Sequence, residues 1–352
     1  MPSNIRLVPE LKIQSLQVFR GLAALAVVAK HAADSTTAFV ADVPAWAMSI
    51  LSLGFLGVDF FFVLSGFIIM YAHFADESSG FAVKKYIFKR LVRIFPAYLP
   101  VSIALIFLYA VMPGFSAFDN RSYSLISSLL LLPADDQPAL VVAWTLVHEL
   151  MFYFIFLLFF ISKRLLIYGL FAWAGLIFFS QQWFLLADDW LRYPLSVLNI
   201  EFMLGVIAAW FVKSPPAWLE FGSSNKWLSW VVLGLLLILL GLGLIESDKD
   251  YYARLICASG LAFVIVGFST REQRLQSSWP IIFLMMGNAS YSIYLVHVPL
   301  LSITQRLAGH IGLSWAQALL FGMICSVCAG YFYCLAVERP ALRYFKKYSE
   351  RH

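Results

Sequence analysis

Charged residues are scarce in this sequence: Asp, Glu, Lys and Arg together make up 13% of its 352 residues, against roughly 25% in a typical soluble domain. Only four cysteines are present, which excludes a disulfide scaffold in a chain of this length. Hydrophobic residues reach 61% and the mean hydropathy is +0.81, so there is too little polar surface to face water on all sides. These figures predict an all-α polytopic membrane protein.

The sequence contains many long apolar runs. A transmembrane helix needs about 20 mostly apolar residues, and about ten runs fit this length. They lie near residues 15–35, 50–71, 95–113, 141–162, 165–184, 193–212, 227–245, 253–269, 285–306 and 315–337. A further run at 123–133 is too short to span and is interpreted as an interfacial or re-entrant piece. We find no internal repeat and expect one membrane-embedded domain over residues 1–352, with no fused soluble domain.

The positions of the basic residues predict the orientation of these spans. A net charge of +5 would indicate a nucleic-acid partner only if the basic residues formed one soluble face. They lie instead between apolar runs, and with the N-terminus inside, 18 of the 25 Lys and Arg residues fall in segments that face the cytoplasm, as the positive-inside rule predicts. We therefore expect both N- and C-termini to be cytoplasmic and no nucleic acid to bind.

The first apolar run carries two ionisable residues. It resembles a secretory signal, but Arg20 and His31 bracket its apolar stretch and no clear cleavage site follows, so an uncleaved helix is expected. A charge at the bilayer centre costs roughly 2.5–3.5 kcal/mol, which makes such residues functional candidates. Arg20 and His31 are eleven positions apart, so they return to within about 20° of one helix face, roughly 16 Å apart. Either alone is usually a snorkelling or packing residue; together they indicate a site.

Later spans also carry polar groups. Asp59 stands in a run of aromatic residues with no local partner, so it must pair across helices, as a structural ion pair would, or be protonated. Glu149 has Tyr153 one helical turn beyond it. Further candidates for lining the site are Trp144, His148, Tyr153, Ser290 and Tyr291, and His297 is a further catalytic candidate.

The expected topology places these groups at different depths. His31 and His297 come late in outward-going helices, and Asp59 and Glu149 come early to middle in inward-going ones, so all four are expected in the outer half of the membrane. The residues expected nearer the cytoplasm are Arg20, Arg90 and Arg93. A cationic inner mouth below a cluster of His and carboxylate groups would suit a bulky anionic donor that is held inside while chemistry happens further out.

Histidine beside a carboxylate is the minimum for general-base catalysis on a hydroxyl. Arg90 and Arg93, one turn apart, could clamp phosphates through bidentate contacts, although a basic cluster there also fits plain positive-inside topology. His31, His148 and His297 lie on three different spans without HExxH-type spacing, so no metal site is expected. The sequence has no GxGxxG or Walker loop, which argues against nucleotide hydrolysis.

Six short blocks follow one another along the chain. They are Leu16-Gln17-Val18-Phe19-Arg20 with His31, Gly57-Val58-Asp59 through Gly66, Arg90-x-x-Arg93-Ile94-Phe95-Pro96, Trp144-Thr145 with Glu149 and Phe152-Tyr153, Ser290-Tyr291 through His297, and Glu338-Arg339-Pro340. In this order they resemble the acyltransferase 3 family of integral membrane acyltransferases over nearly the whole length. Gln17 and the Trp-Thr pair look more like the exopolysaccharide-modifying members, and His148 is not expected from the resemblance.

The resemblance implies transfer of an acyl group, commonly acetyl from acetyl-CoA, to a hydroxyl of a cell-surface or exported glycan or its lipid-linked precursor, in a bacterial cytoplasmic membrane. His31 would be the catalytic base or a transient acyl carrier, with Asp59 or Glu149 orienting it and His297 also in the catalytic group. The residues that would face the phosphates of CoA are Arg20, Arg90 and Arg93. Acyl-CoA is then a substrate, and no permanently bound cofactor is expected.

Two other functions fit parts of the pattern. A proton-coupled secondary transporter would also hold Asp and His inside the membrane, but it predicts inverted repeats and helices broken at matching positions, and neither is visible. A non-catalytic scaffold of a glycan export complex is the third alternative, and it would tolerate loss of both Arg20 and His31.

Overall fold

The computed structural model describes residues 13–76, 80–112, 122–182, 189–215, 226–246, 250–275 and 278–351. Within these ranges the regular structure is helical and contains no β-strand. Helices satisfy their backbone hydrogen bonds within one segment, which is what an apolar surrounding requires. The prediction of an all-α fold is confirmed.

The helices of the described ranges differ widely in length. In chain order they are α1 (Gln14–Phe39), α2 (Ala45–Ser52), α3 (Leu56–His73), α4 (Gly80–Val111), α5 (Leu125–Leu130), α6 (Trp144–Phe156), α7 (Leu158–Ile161), α8 (Lys163–Gln182), α9 (Asn199–Lys213), α10 (Lys226–Leu244), α11 (Tyr251–Arg274), α12 (Ile281–His310), α13 (Trp315–Tyr333) and α14 (Arg339–Arg351). A π-helical turn, Cys334–Glu338, joins the last two.

Nine helical stretches in the described part of the chain are long and apolar enough to cross a membrane. They are Gln14–Phe39, Ala45–His73, Gly80–Val111, Val141–Ile161, Lys163–Gln181, Lys226–Leu244, Tyr251–Gln273, Ile281–His310 and Trp315–Lys347. Each overlaps one of the expected spans. The protein is therefore a polytopic integral membrane protein.

The sixth expected span, 193–212, is shorter than its composition predicts. The helix α9 has 15 residues, about 22 Å at 1.5 Å per residue, against a hydrocarbon core of about 30 Å. Pro194 lies in the non-helical stretch before it, where its carbonyl accepts a hydrogen bond of 2.7 Å from the indole of Trp173. Apolar composition alone therefore overestimated the helix. The helix α5, with six residues, is too short to span, as predicted.

Residue contacts divide the chain into two compact units. The first comprises Met1–Gly54, Leu91–Asp119 and Glu272–His352. Its core is α1 packed along α12, with α13 against both. The backbones of α1 and α12 touch at Gly287, where a Cβ atom would collide with the carbonyl oxygen of Gln17. This close approach brings the polar faces of two distant sequence segments together.

The second unit comprises Phe55–Arg90 and Asn120–Arg271. Its central contact is α3 against α9. Gly66 and Gly205 lie where these two backbones meet, and a Cβ atom on either would collide with a carbonyl oxygen of the other helix. Phe202 stacks on Phe62, with ring centroids 4.7 Å apart, and on Phe152, at 4.8 Å, which adds α6 to the pair.

Candidate active site

Two histidines face each other across the α1–α12 contact of the first unit. Nε2 of His297 lies 3.0 Å from Nδ1 of His31, and the ring centroids are 5.0 Å apart. His297 is fully buried, whereas His31 is only half-buried. Both were catalytic candidates from the sequence, but the 266 positions between them gave no sign that they form a pair.

The hydrogen bonds of this pair determine which nitrogen carries each proton. Nδ1 of His297 lies 2.7 Å from the carbonyl oxygen of Tyr294, which can only accept, so Nδ1 is protonated. In a neutral ring Nε2 of His297 is then an acceptor, and Nδ1 of His31 must donate to it. This leaves the lone pair of His31 on Nε2, which is the form that a general base requires.

A carboxylate network occupies another part of the first unit. Glu338, at the end of the π-helical turn, is 3% exposed and accepts hydrogen bonds from Nη1 of Arg93 at 2.6 Å and from Oγ of Ser292 at 2.5 Å. The guanidinium of Arg93 also lies 5.2 Å from the ring of Tyr291, whose hydroxyl donates to the carbonyl of Ile94 at 3.0 Å. Arg93 is thus paired with an acid that the sequence had shown only as part of a motif.

Two other predicted residues of the first unit have simpler surroundings. The hydroxyl of Ser290 is fully buried and donates to the carbonyl of Gly287 in its own helix, at 2.8 Å. Arg20 is half-buried on α1. The helix is uninterrupted from Gln14 to Phe39, so the prediction that Arg20 and His31 lie on one helix is confirmed.

The second unit contains a buried ion pair between α3 and α11. The guanidinium of Arg254 binds Asp59 with two hydrogen bonds: Nε donates to Oδ2 at 3.3 Å, and Nη2 donates to Oδ1. Asp59 is fully buried and Arg254 is 7% exposed. Of the alternatives for Asp59, the structure shows the partner on another helix; its expected role in orienting His31 stays a prediction.

Arg254 was not among the residues expected at the site, because a single Arg at the start of an apolar run is typical of the end of a membrane span. Arg254 is the fourth residue of α11, and its side chain is turned into the unit rather than to the surface. A second acid, Glu201, is fully buried beside the pair, and neither of its carboxyl oxygens has a hydrogen-bond partner among the described residues. The sequence signal that could have identified Arg254 is that Asp59 lacks a local partner, so an Arg at the start of another apolar run is a candidate to pair with it.

Glu149 links α3 and α6 of the second unit. Its Oε1 accepts hydrogen bonds from Oγ of Ser65, at 2.8 Å, and from the hydroxyl of Tyr153. The spacing of Glu149 and Tyr153 by one turn therefore brings them into contact, as expected. The hydroxyl of Tyr86 donates to the backbone carbonyl of Tyr153 at 3.2 Å, so the first turns of α4 are tied to the same place.

His148 has a hydrogen bond that explains its burial. Its Nδ1 lies 2.9 Å from Oδ1 of Asn199, while Nδ2 of Asn199 donates to the carbonyls of Tyr193, at 2.7 Å, and Pro194, at 3.3 Å. Because the amide nitrogen donates, Oδ1 accepts, and Nδ1 of His148 carries the proton. His148 packs against the rings of Trp144 and Tyr193 and fixes the start of α9.

Arg90 lies among neutral groups. Its guanidinium is 5.5 Å from the ring centroid of Tyr86 and 5.5 Å from that of Tyr153. Its Nη2 lies 3.4 Å from Nε2 of His73, and Nδ1 of His73 lies 2.7 Å from Oδ2 of Asp76. The two arginines of the Arg90-x-x-Arg93 block therefore have different partners: a histidine for the first and a carboxylate for the second.

Comparison of the sequence with known protein families identifies the class of reaction. Residues 13–337 match the acyltransferase domain of the acyltransferase 3 family. The chain belongs to this family. An acyltransferase 3 protein with nine candidate spans in its described residues is a membrane acyltransferase.

Two curated relatives of this acyltransferase have informative names. In an alignment 322 positions long, it is 29% identical to the exopolysaccharide production protein ExoZ of Rhizobium meliloti (strain 1021); the alignment covers 83% of this chain and 90% of ExoZ. In an alignment 374 positions long, it is 26% identical to the acyltransferase MdmB of Streptomyces mycarofaciens; that alignment covers 94% of this chain and 92% of MdmB. No solved structure matches it.

The sequence blocks of the acyltransferase meet in space in a definite pattern. The first and fifth blocks meet at His31 and His297, and the third, fifth and sixth meet at Glu338. The second and fourth meet where Glu149 binds Ser65. Among the described residues, no group of three or more His, Cys, Asp or Glu side chains could hold a metal ion.

Proposed function

We propose that this acyltransferase moves an acyl group, acetyl in the first place, from cytoplasmic acyl-CoA to a hydroxyl of a cell-surface or exported polysaccharide or its lipid-linked precursor. It would act in a bacterial cytoplasmic membrane, with both termini on the cytoplasmic side. Family membership supports acyl transfer, and the similarity to ExoZ, named an exopolysaccharide production protein, supports a glycan acceptor. The observation that carries the proposal is the lone pair that the hydrogen bonds leave on Nε2 of His31.

His31 would act as the general base. Its Nε2 takes the proton of the acceptor hydroxyl, the oxygen attacks the thioester carbonyl, and the C–S bond breaks. The thiolate of CoA then takes the proton from Nε2, so the ester and free CoA form without net proton change. Throughout, Nδ1 of His31 keeps donating to Nε2 of His297, whose lone pair stabilises the positive charge on the first ring.

A second route starts from the same atom. Nε2 of His31 would attack the thioester carbonyl, so that the C–S bond breaks and CoA leaves as its thiolate. The acceptor hydroxyl would then attack the acyl carbon, the N–C bond to His31 would break, and the hydroxyl proton would go to the thiolate of CoA. The two routes differ when the acceptor is withheld: labelled acetyl-CoA would then leave label on the wild-type protein only if His31 is an acyl carrier. In both routes His297 contacts no substrate and is a positioning residue.

The test replaces His31 in cells that make the modified glycan. We expect His31→Ala to lower acylation by about 10²- to 10⁴-fold, the usual contribution of a positioned base, with unchanged protein level in the membrane. Mass spectrometry of the surface glycans reports the acyl mass and its attachment site together. His310→Ala is the matched control, since His310 is exposed at the end of α12. Wild-type acylation in the His31→Ala strain would exclude His31 from the chemistry.

A further inference from the structure

We infer that Asp34 binds a hydroxyl of the acceptor glycan beside the hydroxyl that is acylated, and that Lys30 is a positioning residue that holds Asp34 for this task. The inference rests on the proposed function and deepens it, because it names a group on the acceptor side of His31. Neither residue was a candidate from the sequence. All the contacts used lie within the first unit.

The first step is the position of Asp34 on α1. Asp34 follows His31 by three residues, so the two side chains are neighbours on the helix surface. Its direction from the helix axis differs from that of His31 by about 60° and from that of Lys30 by about 40°. In the proposed orientation α1 runs outward, so Asp34 lies about 4.5 Å nearer the outer surface than His31. An acceptor that arrives from that surface meets Asp34 before it meets the base.

The second step is the hydrogen-bonding capacity of Asp34. Its Oδ2 accepts a hydrogen bond of 3.0 Å from Nζ of Lys30, whereas Oδ1 has no partner among the described residues. The side chain of Asp34 is 39% exposed, so an external donor can reach it. A carboxylate accepts several hydrogen bonds, and those that it accepts are roughly twice as strong as bonds between neutral groups. Asp34 is therefore suited to a sugar hydroxyl.

The third step is that folding stability does not account for the two charges. A charge within a membrane span is unfavourable, and a partly exposed ion pair one helical turn apart contributes little to stability. Lys30 also precedes Asp34, which is the less favourable order on a helix. Two charged side chains held inside the span of α1 therefore indicate binding rather than packing.

The fourth step is the fixed position of Lys30. The backbone at Gly54 presses on α1 at this point: a Cβ atom on Gly54 would collide with the carbonyl oxygen of Ala26 and would lie 2.8 Å from Cβ of Lys30. This contact restricts the stem of Lys30, and the ammonium of Lys30 in turn holds Oδ2 of Asp34. A carboxylate that is held in place beforehand loses little conformational entropy when a hydroxyl binds.

Two measurements on each variant separate the acceptor from the donor. Mass spectrometry and nuclear magnetic resonance of surface glycans report the amount and the position of the acyl groups in cells. Titration with labelled acetyl-CoA reports donor binding by the full-length protein in phosphatidylcholine nanodiscs, without an acceptor. Asp34→Asn should lower acylation roughly 10- to 100-fold, as expected for loss of a charge-assisted hydrogen bond, and should leave acetyl-CoA binding unchanged. The remaining acyl groups should spread over neighbouring hydroxyls, because the acceptor is no longer oriented.

Variants of Lys30 test its positioning role. Lys30→Met should lower acylation, whereas Lys30→Arg, which keeps a donor for Asp34, should retain most of it. The variant with both Lys30→Met and Asp34→Asn should be no worse than Asp34→Asn alone, since Lys30 acts through Asp34. Asp42→Asn is the matched control, because it removes an exposed acid of the loop after α1, and it should have no effect. Thermal unfolding checks the fold; if Asp34→Asn does not fold, the Lys30→Met result decides.

Three results would overturn the inference, and they can be told apart. If wild type neither binds acetyl-CoA nor acylates glycans, the proposed function is wrong and this inference fails with it. If wild type acylates its glycan and Asp34→Asn does so equally and at the same hydroxyl, the proposed function stands and Asp34 does not bind the acceptor. If Asp34→Asn weakens acetyl-CoA binding as much as it lowers acylation, the carboxylate serves the donor and not the acceptor.

Discussion

The ion pair between Asp59 and Arg254 gives the most decisive prediction for stability. Both side chains are almost completely buried and share two hydrogen bonds. Removing one partner leaves the other as an uncompensated buried charge, which typically costs about 3–5 kcal/mol. We therefore expect Asp59→Asn and Arg254→Gln each to lower the free energy of unfolding by that amount, and the double variant to lower it by less than the sum.

The expected coupling energy follows from the same contacts. If each single change costs about 4 kcal/mol and the double variant, which removes both charges of the pair, also costs about 4, the coupling is about 4 kcal/mol. An exposed pair has a much smaller value. Lys30 and Asp34, one turn apart at 3.0 Å with side chains 22% and 39% exposed, should show about 0.3–0.5 kcal/mol, so this pair is the matched control.

The assay is a double-mutant cycle on the full chain in detergent, with unfolding followed by circular dichroism against increasing denaturant. Four proteins are compared for each pair, and the slope of the transition must stay constant for the comparison to hold. A coupling below about 1 kcal/mol for Asp59 and Arg254 would refute the reasoning. It would mean that one of the charges finds another partner or solvent when its mate is removed.

Two further predictions concern the α1–α12 contact. His297→Phe removes the acceptor for Nδ1 of His31 and should lower kcat about 10- to 100-fold, with little change in KM for the donor. His297→Gln retains an acceptor and should therefore recover most of the rate. An equal loss of kcat in both variants would contradict a positioning role for His297. Gly287→Ala inserts a methyl group against the carbonyl of Gln17 and should cost roughly 1–3 kcal/mol in thermal unfolding. Gly175→Ala is the control, because a Cβ atom at Gly175 meets nothing within 4 Å; this variant should stabilise the protein by up to about 1 kcal/mol. A loss of stability in Gly175→Ala would contradict the view that close packing is what makes an alanine unfavourable at Gly287.

The membrane-spanning helices were predictable because their signal is local. A run of about 20 apolar residues can only be accommodated in a bilayer as a helix, and nine of the ten expected runs have such a helix in the described chain. The exception is 193–212, where the stretch that contains Pro194 is not helical and α9 begins only at Asn199, whose side chain binds the carbonyls of Tyr193 and Pro194. Hydropathy averages over such a break and cannot detect it.

The partners of the polar residues were not predictable, because they depend on which helices pack together. The contact of Glu149 with Tyr153 followed from helical spacing. The contacts of His31 with His297 and of Asp59 with Arg254 join positions 266 and 195 apart, and a single sequence contains nothing that specifies those distances. His73 was missed for a related reason: its contact is with Arg90, which lies almost three turns into the next helix.

The π-helical turn at Cys334–Glu338 determines the direction in which Glu338 points. Such a turn contains about one residue more than an α-helical turn, and one residue corresponds to about 100° of rotation about the helix axis. If the same residues formed a regular α-helix, the carboxylate of Glu338 would point up to about 100° away from Arg93 and Ser292. The local irregularity is therefore part of what brings this carboxylate to its partners, and homologues aligned across the turn should be compared by the direction of the side chain rather than by the count of residues.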